Sequence, residues 1–293
     1  MTQSKTENRK PKINLVHHRD IYYGIGVSLI ITIMYIPTIY KLFDHGWRAS
    51  DYDHGPLMFL IFLWLVWRSR DFLNLPVDMS FHPFYLLLFI LGLLLYLLGT
   101  MQRFIIIETF SMIPVILGTT GFLLGRDSLK GILFPILFIA FLIPLPLFFI
   151  DMLTTPLKEM VSYVTSGLLH LTHYPVSRNG VIINIGDYSL LVSDACSGLR
   201  SIISIMAVSS VFLYIQKITL IHKLLIFIFV LPITLFANIL RILLLALITY
   251  YYGEAAGQGF FHNFSGYLLF AVSLISLAVI TEIAKGLRKN KLP

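Results

Sequence analysis

The sequence predicts an all-α polytopic integral membrane protein with about eight transmembrane helices, and two observations support this fold class. Its residues are 57% hydrophobic and 13% charged, whereas soluble domains have about 45–50% apolar and about 25% charged residues. The apolar residues also fall in runs long enough to cross about 30 Å of hydrocarbon as helices of about 20 residues. The predicted spans are 21–40, 55–67, 83–99, 103–124, 129–150, 196–215, 220–250 and 261–284.

The distribution of basic residues predicts the orientation of these spans. If the chain starts inside, 15 of its 22 Lys and Arg residues lie in inner segments and 6 in outer ones. By the positive-inside rule, both termini are then cytoplasmic. We therefore expect a basic tail at 1–20, one transmembrane domain at 21–284 and a second basic tail at 285–293. The net charge of +7 arises from these short basic clusters, so nucleic acid is not an expected partner.

The longest external segment, 151–195, is predicted to be structured. Thr155-Pro156 is typical of an N-cap followed by proline at the first helical position. Apolar residues recur at helical spacing over 157–168, which predicts an amphipathic helix at the membrane surface. Two strand-like runs, 181–185 and 188–192, flank Gly186-Asp187 and predict a β-hairpin.

The single cysteine, Cys196, lies at the predicted outer start of the sixth span. Ser193 or Asp194 can cap that helix and place Cys196 in its first turn, where the helix dipole and the nearby Arg200 favour thiolate. The negative charge of Asp194 instead disfavours the thiolate form of Cys196. The alternative is a capped helix start with a small side chain packed beneath it. One cysteine excludes an intramolecular disulfide and a multi-cysteine metal site.

Arg241 lies well inside the seventh span, with Asn238 one turn earlier on the same face. A guanidinium at membrane depth is costly and is a functional hypothesis by default. The alternative is a structural ion pair with a carboxylate on another helix. Glu108 and Glu282 are the candidates, although Glu282 is expected near the inner membrane face.

His262 begins the eighth span among aromatic residues, where an interfacial histidine is the simplest interpretation. The predicted topology nevertheless puts Cys196, Arg241 and His262 in the outer half of the membrane. A thiol nucleophile, an imidazole and a fixed cation are the components of covalent acyl transfer. The other histidines lack close ligand spacing, so we expect neither a metal nor a cofactor.

These motifs resemble those of the exosortase family of bacterial membrane enzymes. The family's Ala-Cys-Ser-Gly-Leu-Arg signature is matched in full at Ala195–Arg200. Its Asn-x-x-Arg element matches Asn238 and Arg241, and its histidine-plus-glycine element matches His262 and Gly266. Weaker matches are His54-Gly55-Pro56-Leu57, Ile143-Pro144-Leu145-Pro146 and Arg178-x-Gly180.

The resemblance implies a cysteine transpeptidase or protease in the inner membrane, with its active site facing the periplasm. Its expected substrates are exported proteins ending in a Pro-Glu-Pro-type motif, a hydrophobic helix and a basic tail. An envelope polysaccharide or lipid is a possible acceptor, and membrane lipids surround the enzyme. By resemblance Cys196 is the nucleophile, His262 the acid/base and Arg241 the transition-state stabiliser. The supporting or substrate-binding residues would be Asp194, Arg200, Asn238, His54 and Arg178.

One residue departs from the family pattern. Asn263 stands where many relatives have an acidic residue, so Asp187 or Asp194 could orient His262 instead.

Two other functions remain open at the level of the sequence. A transporter or a lipid- or polysaccharide-export protein would use Arg241 to bind an anionic substrate. A non-catalytic assembly partner in polysaccharide export would require none of the three residues.

Overall fold

A computed structural model of the chain describes residues 18–48, 52, 54–73, 82–192, 199–253, 255–256 and 260–289. These residues are mostly helical, and they include one small antiparallel sheet. The helices are α1 (His18–Lys41), α2 (Gly55–Arg68), α3 (Arg70–Leu73), α4 (Pro83–Gln102), α5 (Ile105–Phe110), α6 (Met112–Phe138), α7 (Leu147–Leu171), α8 (Leu199–Ile215), α9 (Leu220–Tyr252) and α10 (Phe260–Lys289). The strands are β1 (Val176–Asn179), β2 (Ile182–Ile185) and β3 (Tyr188–Leu191).

The membrane-protein fold is confirmed by the length and composition of the helices. Among the described residues, four segments are long and apolar enough to cross a bilayer: Gly26–Gly46, Pro83–Gln102, Ile105–Leu142 and Leu220–Tyr252. Shorter apolar helices cover Gly55–Arg68, Ile202–Ile215 and Leu268–Ile283. The count of eight crossings stays a prediction.

The long segment Ile105–Leu142 is not straight. Gly125, inside α6, has φ 74° and ψ −176°, outside the helical region. Val115 and Ile136 nevertheless lie in one buried cluster, whereas a straight helix would separate them by about 30 Å. The chain therefore turns back at Gly125, and its two arms correspond to the predicted spans 103–124 and 129–150.

One compact unit of the fold comprises residues up to 44 together with 59–140. Its core contains Tyr35, Val115 and Ile136. Helices α4 and α6 approach closely because Gly118 faces the backbone of α4, where a Cβ would lie 2.6 Å from the Phe89 nitrogen. Such small residues at helix contacts are typical of membrane proteins.

A buried carboxylate links helices α1 and α5 of this unit. Glu108, 1% exposed, accepts hydrogen bonds from Lys41 Nζ at 2.9 and 3.1 Å and from Thr38 Oγ1 at 2.6 Å. Glu282, the other acid considered for Arg241, is bonded to Lys285 at 2.6 Å. Both of the carboxylates proposed as structural partners of Arg241 are thus engaged with lysines.

The second compact unit comprises 45–58 and the chain from 141 onward. Helices α8, α9 and α10 share a core that includes Ile205, Ala237 and Leu269. A second core, with Val161, Ile183 and Ile242 among its members, joins α7, the sheet and α9.

The predicted helix in this segment is confirmed, although its predicted start is wrong and its position at the membrane surface stays a prediction. The helix begins at Leu147 and Pro146 is its N-cap, so Thr155 and Pro156 lie inside it. The predicted fifth span, 129–150, is also too long, since the helical part ends at Leu142 and the chain breaks at residues 143–146. The proline pair Pro144 and Pro146 accounts for both differences, because proline disfavours helix at the residue before it.

The predicted hairpin is confirmed with the expected two-residue turn. Ile185 pairs with Tyr188 across Gly186-Asp187, and Gly186 has φ 56°. A further strand, β1, pairs antiparallel with β2 and was not predicted. Its sequence, Val-Ser-Arg-Asn, has only one strongly strand-forming residue, so the local pattern does not reveal it.

Candidate active site

Arg241 is the buried cation of the candidate site. It lies on α9 and is 7% exposed, and Asn238, one turn earlier, is 0% exposed. A cavity of about 30 Å³ beside Arg241 is lined by residues of α9 and α10, including Leu244, Leu268 and Val272. A guanidinium in such an apolar setting acts more strongly on a neighbouring negative charge than it would in water.

Helix α10 passes Arg241 at Gly266. A Cβ placed on Gly266 would lie 3.9 Å from Arg241 Nη2, which is ordinary contact. His262 is four residues earlier on α10, and positions i and i+4 lie on one face of a helix. The backbone position of His262 is therefore one turn from the arginine contact, although its side chain is outside the described part of the structure.

The beginning of α8 lies at the same end of the helix group as Arg241. Helices α8 and α9 are joined by Gln216–Thr219 and pack together, so they run antiparallel. Arg241 is about 31 Å along α9 from Leu220, and α8 is about 25 Å long. Arg241 therefore lies about one turn beyond the level of Leu199. Cys196 and Asp194 are outside the described residues, as is the side chain of Arg200 at the start of α8.

Two weaker family motifs meet in a hydrogen-bonded corner. Tyr52 Oη accepts the amide N–H of Leu145 at 2.6 Å, and Trp47 Nε1 donates to the Leu142 carbonyl at 3.1 Å. Position 55 has no room for a residue larger than glycine, since a Cβ there would lie 2.3 Å from the Trp47 ring. These contacts hold the segment before α2 against the proline break before α7.

His54 stands in this corner directly before α2. Its ring lies 5.5 Å from the ring of Tyr52, centroid to centroid, and its carbonyl accepts the amide of Met58. The sequence pointed to His54 and to residues 143–146 separately. Trp47 and Tyr52, which join the two segments, carry no signal in the sequence because their partners are over 90 residues away.

Arg178 lies on β1, facing α7. Its Nη1 donates to the Gly180 carbonyl at 2.8 Å and to Ser162 Oγ at 3.4 Å. Its guanidinium also lies 5.5 Å from the centre of the Tyr163 ring. Arg178 therefore ties β1 to α7, which is a structural role in addition to the supporting role that the sequence suggested.

Tyrosine side chains join the segment just before β1 to the end of α9. Tyr174 and Tyr251 share a hydrogen bond of 2.8 Å between their hydroxyls, and the ring of Tyr250 packs edge-on against Tyr174. This hydrogen bond raises the pKa of Tyr174 above its ordinary value. Asp187, a candidate for orienting His262, is exposed in the turn between β2 and β3.

The fold and these positions define a helical membrane protein with a buried arginine and a small helix-and-sheet element. A comparison with protein-family models matches residues 47–279 to the transmembrane exosortase family. The match covers most of the chain, so the protein belongs to the transmembrane exosortase family, as its motifs predicted. Neither the curated proteins nor the solved structures contain a significant match.

Proposed function

We propose that this protein is a membrane-embedded cysteine transpeptidase or protease that cleaves C-terminal sorting signals of exported proteins at the outer face of the inner membrane. The observation that carries the proposal is the juxtaposition of Arg241, buried on α9, with the face of α10 that bears Gly266 and His262. Membership of the exosortase family supports the same reaction class.

The arrangement of the motifs within one compact unit also supports this proposal. The segments containing His54, Pro144–Pro146, Arg178, Arg241 and Gly266 all lie in the unit formed by 45–58 and the chain from 141 onward. Residues that resemble a family's functional residues and fold into one unit are better candidates for a shared site than dispersed matches.

The proposed reaction begins with the Cys196 thiolate attacking the carbonyl carbon of the scissile peptide bond. Arg241 stabilises the negative charge that develops on the carbonyl oxygen. When the C–N bond breaks, His262 donates a proton to the leaving amine and a thioester to Cys196 remains. Water or an envelope hydroxyl or amine then attacks the thioester, loses its proton to His262 and restores the thiolate.

The proposed topology also places the substrate. The basic tail of the sorting signal would remain at the cytoplasmic face, where membrane proteins retain their positive charges. A hydrophobic helix of about 20 residues then spans the bilayer and presents the cleavage motif at the outer face. Cys196 precedes α8 by three residues in sequence, and the first residue of α8 lies about one turn from the level of Arg241.

The test is co-expression with a tagged protein that ends in a sorting signal, comparing wild type with Cys196→Ala by mass and electrophoretic mobility. We expect cleavage, or a trapped thioester, with wild type alone. Met101→Ala is a suitable control, because Met101 is 76% exposed at the end of α4.

The same experiment separates the other functions. Normal processing by a Cys196→Ala protein that is correctly inserted in the membrane contradicts the mechanism. If function instead depends on Arg241 and not on Cys196, an anion-binding transporter is the better interpretation. If alanine is tolerated at Cys196, Arg241 and His262 alike, a non-catalytic assembly role is favoured.

A further inference from the structure

A cleft of about 510 Å³ lies between α7 and β1, apart from the buried arginine of the candidate active site. Its lining includes Tyr163, Gly167, His170 and Leu171 from α7 and Ser177 and Arg178 from β1. Among the described lining residues there is a guanidinium and an imidazole but no carboxylate, so the cleft suits a ligand with net negative charge.

Arg178 is held in place with part of its donor capacity unused. Its Nη1 bonds to Gly180 and Ser162, and the guanidinium packs over the Tyr163 ring. Within the described part of the chain, Nη2 and Nε make no hydrogen bond. A guanidinium fixed in this way can donate two parallel hydrogen bonds to a phosphate or a carboxylate.

The cleft is continuous with an exposed apolar row on α7. Phe149, Met152, Met160, Tyr163 and Leu171 share one side of this helix and are 50%, 61%, 40%, 68% and 75% exposed. The opposite face of α7 is buried and carries Val161 and Leu169 together with the hydroxyl residues Thr154, Ser162 and Thr165. An exposed apolar row along one side of a helix is what contact with lipid acyl chains requires.

We propose that the cleft between α7 and β1 binds the headgroup of an anionic phospholipid of the outer leaflet. Arg178 donates to the headgroup phosphate, and the acyl chains lie along the row that runs from Leu171 towards Phe149. A phospholipid is favoured over a free anion or an acidic peptide because only an amphiphile uses both the cation and the adjoining apolar row.

Gly167 allows the cleft to be filled without disturbing the protein. A Cβ on Gly167 meets no atom within 4 Å, and leucine is a better helix former than glycine. Gly167→Leu therefore puts a side chain into the cleft while the contacts of Arg178 stay intact. Gly286→Leu on α10 is the matched control, because a Cβ there also meets nothing within 4 Å.

The experiment measures binding of fluorescent phosphatidylglycerol to the purified full-length protein in a neutral detergent. We expect Arg178→Gln to weaken binding by at least about tenfold, the effect of losing a charge-assisted hydrogen bond. Gly167→Leu should weaken binding to a similar extent, because the leucine side chain occupies the cleft. Gly286→Leu should bind like wild type, and wild type should bind phosphatidylcholine more weakly than phosphatidylglycerol. Thermal unfolding shows whether each variant is folded. If Arg178→Gln does not fold, the binding of Gly167→Leu decides the test.

Three results would overturn the proposal. One is wild-type affinity for phosphatidylglycerol in Gly167→Leu. Another is competition by inorganic phosphate at the same concentration as lipid, which indicates a plain anion site. The third is an acidic peptide that binds in the cleft where phosphatidylglycerol does not. Cleavage of a sorting signal is not measured, so failure here is distinct from failure of the proposed function.

Discussion

Tyr52 and Leu145 are joined by a hydrogen bond of 2.6 Å although 93 residues separate them in the chain. The Leu145 amide is a donor in the proline break between two helices, where no helical carbonyl is available to accept it. Tyr52 is 4% exposed. This bond therefore fixes the segment that carries His54 relative to the start of α7.

We expect Tyr52→Phe to lower the free energy of unfolding by about 0.5–1.5 kcal/mol, because the partly buried Leu145 amide would lose its acceptor. Thermal unfolding in detergent measures the loss. Tyr40→Phe is the control, since Tyr40 is 69% exposed on α1. An unchanged unfolding temperature in Tyr52→Phe would mean that the bond contributes nothing to the corner.

Removing Lys41 and removing Glu108 should lower the free energy of unfolding by unequal amounts. Glu108 is 1% exposed and Lys41 is 40% exposed. Lys41→Met leaves a buried carboxylate with Thr38 as its one remaining side-chain donor among the described residues, and it should cost about 3–5 kcal/mol. Glu108→Gln should cost less, since the Lys41 ammonium can extend to water.

The measurement is thermal unfolding of Lys41→Met, Glu108→Gln and the double variant. The double variant should be less destabilised than the sum of the single ones, because each substitution alone strands the other group. Additive losses would show that the two side chains are not coupled.

The fold was largely predictable because the apolar helices, the hairpin and the helix before the sheet are each encoded locally. The apolar runs fix where helices lie, and Gly186-Asp187 fixes the turn between β2 and β3. Strand β1 was missed because Arg178 and Asn179 give no alternating apolar pattern. The start of α7 was missed because Pro156 resembles a first helical residue, whereas the structure places it inside the helix.

The site was predictable only where a residue is anomalous in its surroundings. Arg241 is recognisable because a guanidinium inside an apolar helix is costly. The partners of Glu108 and Tyr52 are not recognisable, since long-range contacts leave no periodic trace in the chain. Cys196 remains a prediction, because its segment lies outside the described residues.

Gly180, in the turn between β1 and β2, and Gly186, in the turn between β2 and β3, allow the cost of a Cβ to be compared in two turns. Both have positive φ, 58° and 56°, but a Cβ on Gly186 would lie 3.1 Å from the Tyr250 ring whereas one on Gly180 meets nothing. Gly180→Ala should cost about 1–2 kcal/mol from backbone strain alone. Gly186→Ala should cost more than Gly180→Ala, because Tyr250 must also shift.

Unfolding temperatures of the two alanine variants measure this difference. Gly186→Asn should recover part of the loss caused by strain, since asparagine adopts positive φ more readily than alanine. Equal destabilisation by both alanine variants would show that Tyr250 yields freely to a new Cβ.

The strongest test of the active site itself is Arg241→Lys. Lysine keeps the charge at 241, so insertion and folding should change little, but it cannot reproduce a planar guanidinium with several fixed donors. We expect processing of the sorting signal to fall by about 10²–10³-fold, the cost of losing one donor to an oxyanion. Arg126→Lys, an exposed substitution next to the Gly125 turn, should process normally. Initial rates with equal amounts of membrane-inserted protein give the comparison, and near-wild-type rates in Arg241→Lys would show that a simple positive charge is sufficient and that the oriented oxyanion contact is not required.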